Sequence, residues 1–240
     1  MQNTSGLYNT IISSRHWYET KLVVNDVSYG EDVLISVKTS HRVFSDNQPV
    51  VGGCLAAELN VEMLVPNETI PRMAKVRLYV RAKNATQTSE WIPQGVFFID
   101  TRKVTHNDSG LNVLVLHCYD AMLKAEADYP STTHSWPYSD IDVVKEIAKT
   151  IGLQSSITAT TGIDSRTITL MDKAYQIGLP AGYSMREVLG NIAAMYAGNW
   201  VMNYDGQLRL ITLAELPPET YYLIDSLFEP ITFGGDHILV

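Results

Sequence analysis

The sequence predicts an α+β protein, with an amino-terminal antiparallel β-barrel-like domain followed by a small α/β domain of two helices and a β-hairpin. Three observations predict it. Apolar residues alternate with polar ones in several stretches before residue 130, they recur at helical spacing after it, and turn-forming residues punctuate the first part at fairly regular intervals.

The clearest alternation covers residues 57–64, where Leu59, Val61 and Met63 point one way and Glu58, Asn60 and Glu62 the other. Residues 75–81 repeat it, with Val76, Leu78 and Val80 opposite Lys75, Arg77, Tyr79 and Arg81. An acidic face beside a basic one suits antiparallel neighbours, so these two strands are expected to pair. Four more strands are read at 21–25, 33–38, 95–101 and 111–118, each bounded by turn formers such as Asn25-Asp26 and Tyr29-Gly30. The Asn107 to Gly110 turn between the last two makes them a hairpin. Six strands with no helix among them must curl to bury one face, which implies a barrel or sandwich.

Beyond residue 130 the period changes. Ile141, Val144, Ile147, Ala148 and Ile151 form one helical stripe, with Asp140 as the expected N-cap and Gly152 as the terminator. Ser184 and Glu187 make a capping box ahead of a second stripe, Met185, Val188, Leu189, Ile192, Ala193 and Tyr196. Trp200 to Ile211 then reads as two strands joined by a tight turn at Asp205-Gly206. Pro130 and Pro137 mark one junction and Pro217-Pro218 another. The expected division is 1–130 for the barrel-like domain, 131–216 for the α/β domain, and 217–240 for the start of a second barrel that is cut short.

Composition narrows the role. With 45% hydrophobic and 18% charged residues the 240-residue chain has enough apolar material for a sizeable core. Its net charge of -8 argues against broad gripping of a phosphate backbone, which needs clustered Lys and Arg. The one basic concentration runs from Arg72 through Lys75, Arg77 and Arg81 to Lys83, and most such runs are a solvated strand face. No run approaches the ~18 apolar residues of a membrane span, and the first residues have no secretion signal of the usual kind. Cys54 and Cys118 are read as buried thiols.

No catalytic motif emerges, and no metal or cofactor is expected. His117 and Cys118 adjoin on one strand, so alternation sends them to opposite faces, while Asp120 is placed to cap the short helical stretch 121–127. His16, His41, His106, His117, His134 and His237 show no metal-ligand spacing, and there is no Cys-x-x-Cys. The acid pairs Asp140 with Asp142 and Glu58 with Glu62 are commoner as caps and solvated faces than as glycosidase carboxylates.

The order of the segments carries more than any one of them. AAELNVEML, IPRMAKVRLYV, WIPQGVFFIDTRKV and LNVLVLHCYDAMLKAEADY, followed by DIDVVKEIAKTIGL and SMREVLGNIAAMYAGNWVMNYDGQLRLITL, together resemble phage and prophage tail hub proteins over about residues 20–215. The family includes the central hub of contractile baseplates and the amino-terminal hub module of tail-associated lysozymes and prophage endopeptidase tails. The resemblance implies a non-enzymatic structural subunit of the virion tail, assembled in the bacterial cytoplasm as a homotrimeric ring. Its partners would be the tail tube, the distal tail ring and the tip or spike, with DNA only as transient channel cargo. Glu58, Glu62, Lys75, Arg77 and Arg81 are then expected at a subunit junction or at the channel. The alternatives are a carbohydrate-binding or adhesive β module and a cell-wall hydrolase.

Overall fold

Seven strands form one antiparallel sheet: β1 (Trp17–Val24), β2 (Val27–Tyr29), β3 (Leu34–Ser40), β4 (Glu58–Leu64), β5 (Lys75–Lys83), β6 (Ile92–His106) and β7 (Asn112–Asp120). Their spatial order is β2-β1-β5-β6-β7-β4-β3. This is a computed structural model; it describes residues 4–44, 49–106, 110–130, 135–171 and 175–213, with the backbone alone of 232–233 and 236–237.

The order of strands forces the sheet to curl. β2 and β3 are its two edges, yet only Gly30 to Val33 separate them in sequence. Laid flat, seven strands would hold their edges about 29 Å apart, whereas five chain steps reach at most about 18 Å. The concave face is the buried one. Leu22 and Val24 of β1, Leu59, Val61 and Met63 of β4, Val76 and Leu78 of β5, Phe97 and Ile99 of β6, and Leu114, Leu116 and Cys118 of β7 share one core. The alternation read in the sequence is therefore the inside and outside of a half-barrel.

The expected pairing of 57–64 with 75–81 does not occur. β4 lies between β3 and β7, and β5 between β1 and β6. Complementary charge was a poor guide because the neighbour of the basic strand, β1, supplies its own acid: Glu19 stands opposite Arg81. The β6–β7 hairpin forms as read, with its turn at 107–109 outside the described residues. Before residue 120 two elements were not anticipated, the short β2 and a helix α1 (Gly6–Ile12), which buries Ile11 and is tied down by hydrogen bonds from Ser5 to Glu90. After it, the short helix at Ser165–Leu170 and the pairing of Tyr138–Ser139 with Gln176–Ile177 were not anticipated either.

After β7 a 3-10 helix at Ala121–Glu126 leads to β8 (Tyr138–Ser139), α2 (Asp140–Thr150), α3 (Ser165–Leu170), β9 (Gln176–Ile177), α4 (Met185–Met195) and the hairpin β10 (Gly198–Met202) and β11 (Leu208–Thr212). The apolar stripes of α2 and α4 meet around Trp200, which is fully buried and donates its indole N–H to Leu189 O. The α4 capping box is present as read. At α2 the cap is Ser139 and not Asp140, because the Asp140 carboxylate accepts instead from the Tyr196 hydroxyl at 2.6 Å. The hairpin loop is also longer than expected. Pairing stops at Met202 and Leu208, and the Asn203 side chain organises the five residues of the loop through bonds from Asp205 N and Gln207 N. The expected start of a second barrel at 217–240 lies outside the described residues, apart from the two-residue pairing of β12 (Thr232–Phe233) with β13 (Asp236–His237).

The two parts share a seam. Residues 50–55 run alongside β10, where Gly52 N donates to Gly198 O, Gly53 N to Asn199 Oδ1, Asn199 Nδ2 to Val50 O and Trp200 N to Gly53 O. The segment also presses on α4 so closely that a Cβ on Gly190 would stand 2.7 Å from Gly52 O. Only glycine allows that approach. Cys54, Ala56 and the 3-10 helix thus join the core built by α2, α4 and β10.

Candidate interaction surface

The convex side of the sheet carries the charged residues singled out from the sequence, in two strips. On β5, Lys75, Arg77, Tyr79, Arg81 and Lys83 alternate outward, and β1 sets Trp17, Glu19, Lys21 and Val23 beside them. Glu19 holds this strip together, accepting from Arg81 Nε at 2.6 Å and from Lys83 Nζ at 2.9 Å. Those two bonds, Lys83 first, keep its carboxyl below the ordinary Glu range. Lys21 Nζ lies 4.4 Å from the centre of the Trp91 ring and the Arg81 guanidinium 4.3 Å from it, a cation–π arrangement that fixes both long side chains. Arg77 reaches the exposed Asp26 at 3.3 Å.

The second strip is on β4, where Glu58, Asn60 and Glu62 face outward between Ser40, Lys38 and Ser36 of β3 and Tyr119, His117 and Val115 of β7. Glu58 is 3.9 Å from His117 Nε2, and His117 packs edge-on against Tyr119. Glu58 and Glu62 thus lie together on one strand, as do Lys75, Arg77 and Arg81 on another, but two strands, β6 and β7, separate the groups. Glu19, Lys21 and Trp91 were missed. The signal for Glu19 was a strand that begins at Trp17 and not at Lys21, set by its ladder to β5.

Other candidates resolve into structural roles. Cys54 and Cys118 are free and buried, and burial pushes both thiols up to about 12, well away from the thiolate needed of a nucleophile. Asp120 caps the 3-10 helix through Met122 N and also accepts from Ala57 N at 2.8 Å, and burial lifts it to about 6. A polar cleft of about 730 Å³ opens between Pro93, α3 and the β10–β11 loop. Within it, Asp164 is already occupied by a two-point contact with Arg166, which keeps its carboxyl well below the usual range. Among the described residues no three His, Cys, Asp or Glu side chains gather as a metal site; His134 and the side chain of His237 lie outside them. The tryptophans occupy separate places: Trp200 in the core, Trp91 beneath Lys21 and Arg81, Trp136 against Tyr129 and Tyr138, and Trp17 half exposed on β1. No helix of the described residues is long and apolar enough to cross a membrane.

No family model matches the chain, and no curated protein matches it. Solved structures do. The 43 kDa tail protein of prophage MuSo2 from Shewanella oneidensis is 11% identical with a TM-score of 0.50, over 91% of this chain and 62% of that one. The tail protein from Neisseria meningitidis MC58 is 12% identical with a TM-score of 0.49, over 89% of this chain and 58% of that one. The chain therefore spans less than two thirds of the length of either. At this identity the likeness is one of fold, and the resemblance to tail proteins drawn from the ordered segments is met at that level: the curled sheet with its α/β unit has the fold of a prophage tail protein.

Proposed function

We propose that the chain is a structural component of a phage or prophage tail, placed at the hub or tip, where it joins the tail tube or distal tail ring to the tip or spike. The observation that carries this reading is the fold shared with the MuSo2 tail protein across 91% of the chain. The site chemistry supports it. A half-barrel whose convex face carries ion pairs ordered around Glu19, in a molecule whose Asp120, Asp164, Cys54 and Cys118 are taken up in caps, pairs and cores, is suited to being packed against. The role is non-enzymatic: residues 1–130 act as a tube-like domain and 131–216 as an appended α/β domain, with copies arranged as a homotrimer in the assembled tail. The net charge of -8 suits a passage through which DNA must move without being held.

Labelling assembled tails tests it directly. With an epitope fused to the chain, antibody label is expected at a single end of purified tail particles, and deletion of the gene should leave tails without a tip. Label along the whole tube, or particles that lack the chain altogether, would sink the hub assignment.

A further inference from the structure

We infer that the two charged strips are the halves of one contact between copies of this chain, the β5 strip of one copy seated on the β4 strip of the next. This rests on the structural tail reading and names the partner, a second copy. The strips are opposite in sign. Around β5 stand Lys21, Lys75, Arg77, Arg81 and Lys83 against Glu19 and Asp26, five of the 12 basic residues in positions 1–130. Around β4 stand Glu58, Glu62 and Asp100 against Lys38 and Lys103, with His117 beside Glu58.

Within one chain the strips do not meet. Going one way round the curled sheet β6 and β7 lie between them, and going the other way β1, β2 and β3. The outward face of β6 is covered in its first half, Phe98 by Lys124 and the α/β core and Val96 by the loop at Gly206, while its second half from Thr101 on is exposed beside the β4 strip. Each strip is left facing away from the other.

Their spacing matches. Arg77 and Arg81 are four residues apart with Tyr79 between, and Glu58 and Glu62 are four apart with Asn60 between. Both charge pairs therefore span about 13 Å along a strand, so two ion pairs can form at once around a Tyr79–Asn60 contact. The basic half is also held ready, since Glu19 and Trp91 already fix Arg81, Lys83 and Lys21, which reduces the ordering cost of binding. Either strip laid on its own copy would set like charges opposite each other, so a two-fold pairing is disfavoured. The association is head to tail, each copy using two different surfaces.

The test is sedimentation of the full chain over a range of concentration and salt, for wild type, R77E/R81E and E58K/E62K, with circular dichroism melts to show that each variant is folded. Wild-type association is expected to weaken as salt rises, and each variant alone to associate at least about tenfold more weakly. An equimolar mixture of the two variants should associate again, because each then offers the strip the other needs. Should R81E disturb the Glu19 cluster, R77E alone serves in its place. Variants that associate like wild type, or a folded mixture that stays monomeric, overturn the inference. So does a wild-type chain that remains monomeric in low salt. None of these outcomes alters the labelling result at the tail end, so this contact and the tail reading fail separately.

Discussion

The curled sheet and the α/β unit bury comparable apolar faces, but they collect them differently. The sheet's core comes from strands that each carry their own alternating pattern, closed by a short loop between its two edges. The core around Trp200 draws Cys54 and Ala56 from ahead of β4 and Ala121, Met122 and Ala125 from beyond β7, so part of the sheet's own chain completes it. A unit completed by another unit's chain is not independent, and the two are expected to lose structure together.

The strongest way to break that comparison is Trp200→Ala. It removes the largest fully buried side chain and the indole's hydrogen bond to Leu189 O, an expected loss of about 4 kcal/mol. Chemical denaturation followed by far-ultraviolet circular dichroism and by fluorescence of the remaining tryptophans should give coincident transitions, both shifted. A sheet that unfolds later than the helices would show that the seam does not couple them.

Next in size is the effect of pH through Asp120, which joins the two regions by accepting from Ala57 N and Met122 N. Burial raises its folded value to about 6 from an ordinary 3.8, so the folded chain binds the proton more tightly than the unfolded one. Stability conferred by that proton is full below about 4 and is lost as pH climbs through about 6, a change on the order of 3 kcal/mol. Wild-type melting temperature should therefore rise between pH 7 and pH 5, and Asp120→Asn should flatten the rise. Asp164 acts with the opposite sign, since Arg166 depresses it, and its contribution is present above about pH 4 and lost below. An unchanged slope in Asp120→Asn would show that other groups set the profile.

Gly190→Ala sharpens the comparison with the smallest change. The added methyl meets Gly52 O at 2.7 Å, backbone against backbone, and the strain outweighs the gain in helix propensity by about 1 kcal/mol. A melt of this variant no lower than wild type would mean that the seam gives way at no cost.

How much of the molecule was legible in the sequence depends on the range of the interactions. Inside and outside of β4 and β5 were readable because a strand's neighbours two positions away share its face, and the Ser184–Glu187 box because it closes within one turn. Asp120 was likewise readable as a cap, from the short helical stretch directly after it. Strand order was not readable. It rests on ladders between residues as far apart as Glu19 and Arg81, and the acid and base of β4 and β5 suggested a pairing that β1 had already taken. The α2 cap was misjudged by one residue, since Tyr196, far along the chain, engages Asp140 and leaves Ser139 to bind the helix. Nothing local announced that Gly52 and Gly190 touch.

The connection from Tyr29 to Leu34 sets a limit on shape. With both rims of the sheet fastened through four residues, the curvature is a property of chain length at one point, and each added residue there would loosen it like a let-out belt. Leu34–Ser40 pairs on one side only, with β4, so a longer span that lets the two rims part is expected to leave that edge freer to accept an added strand.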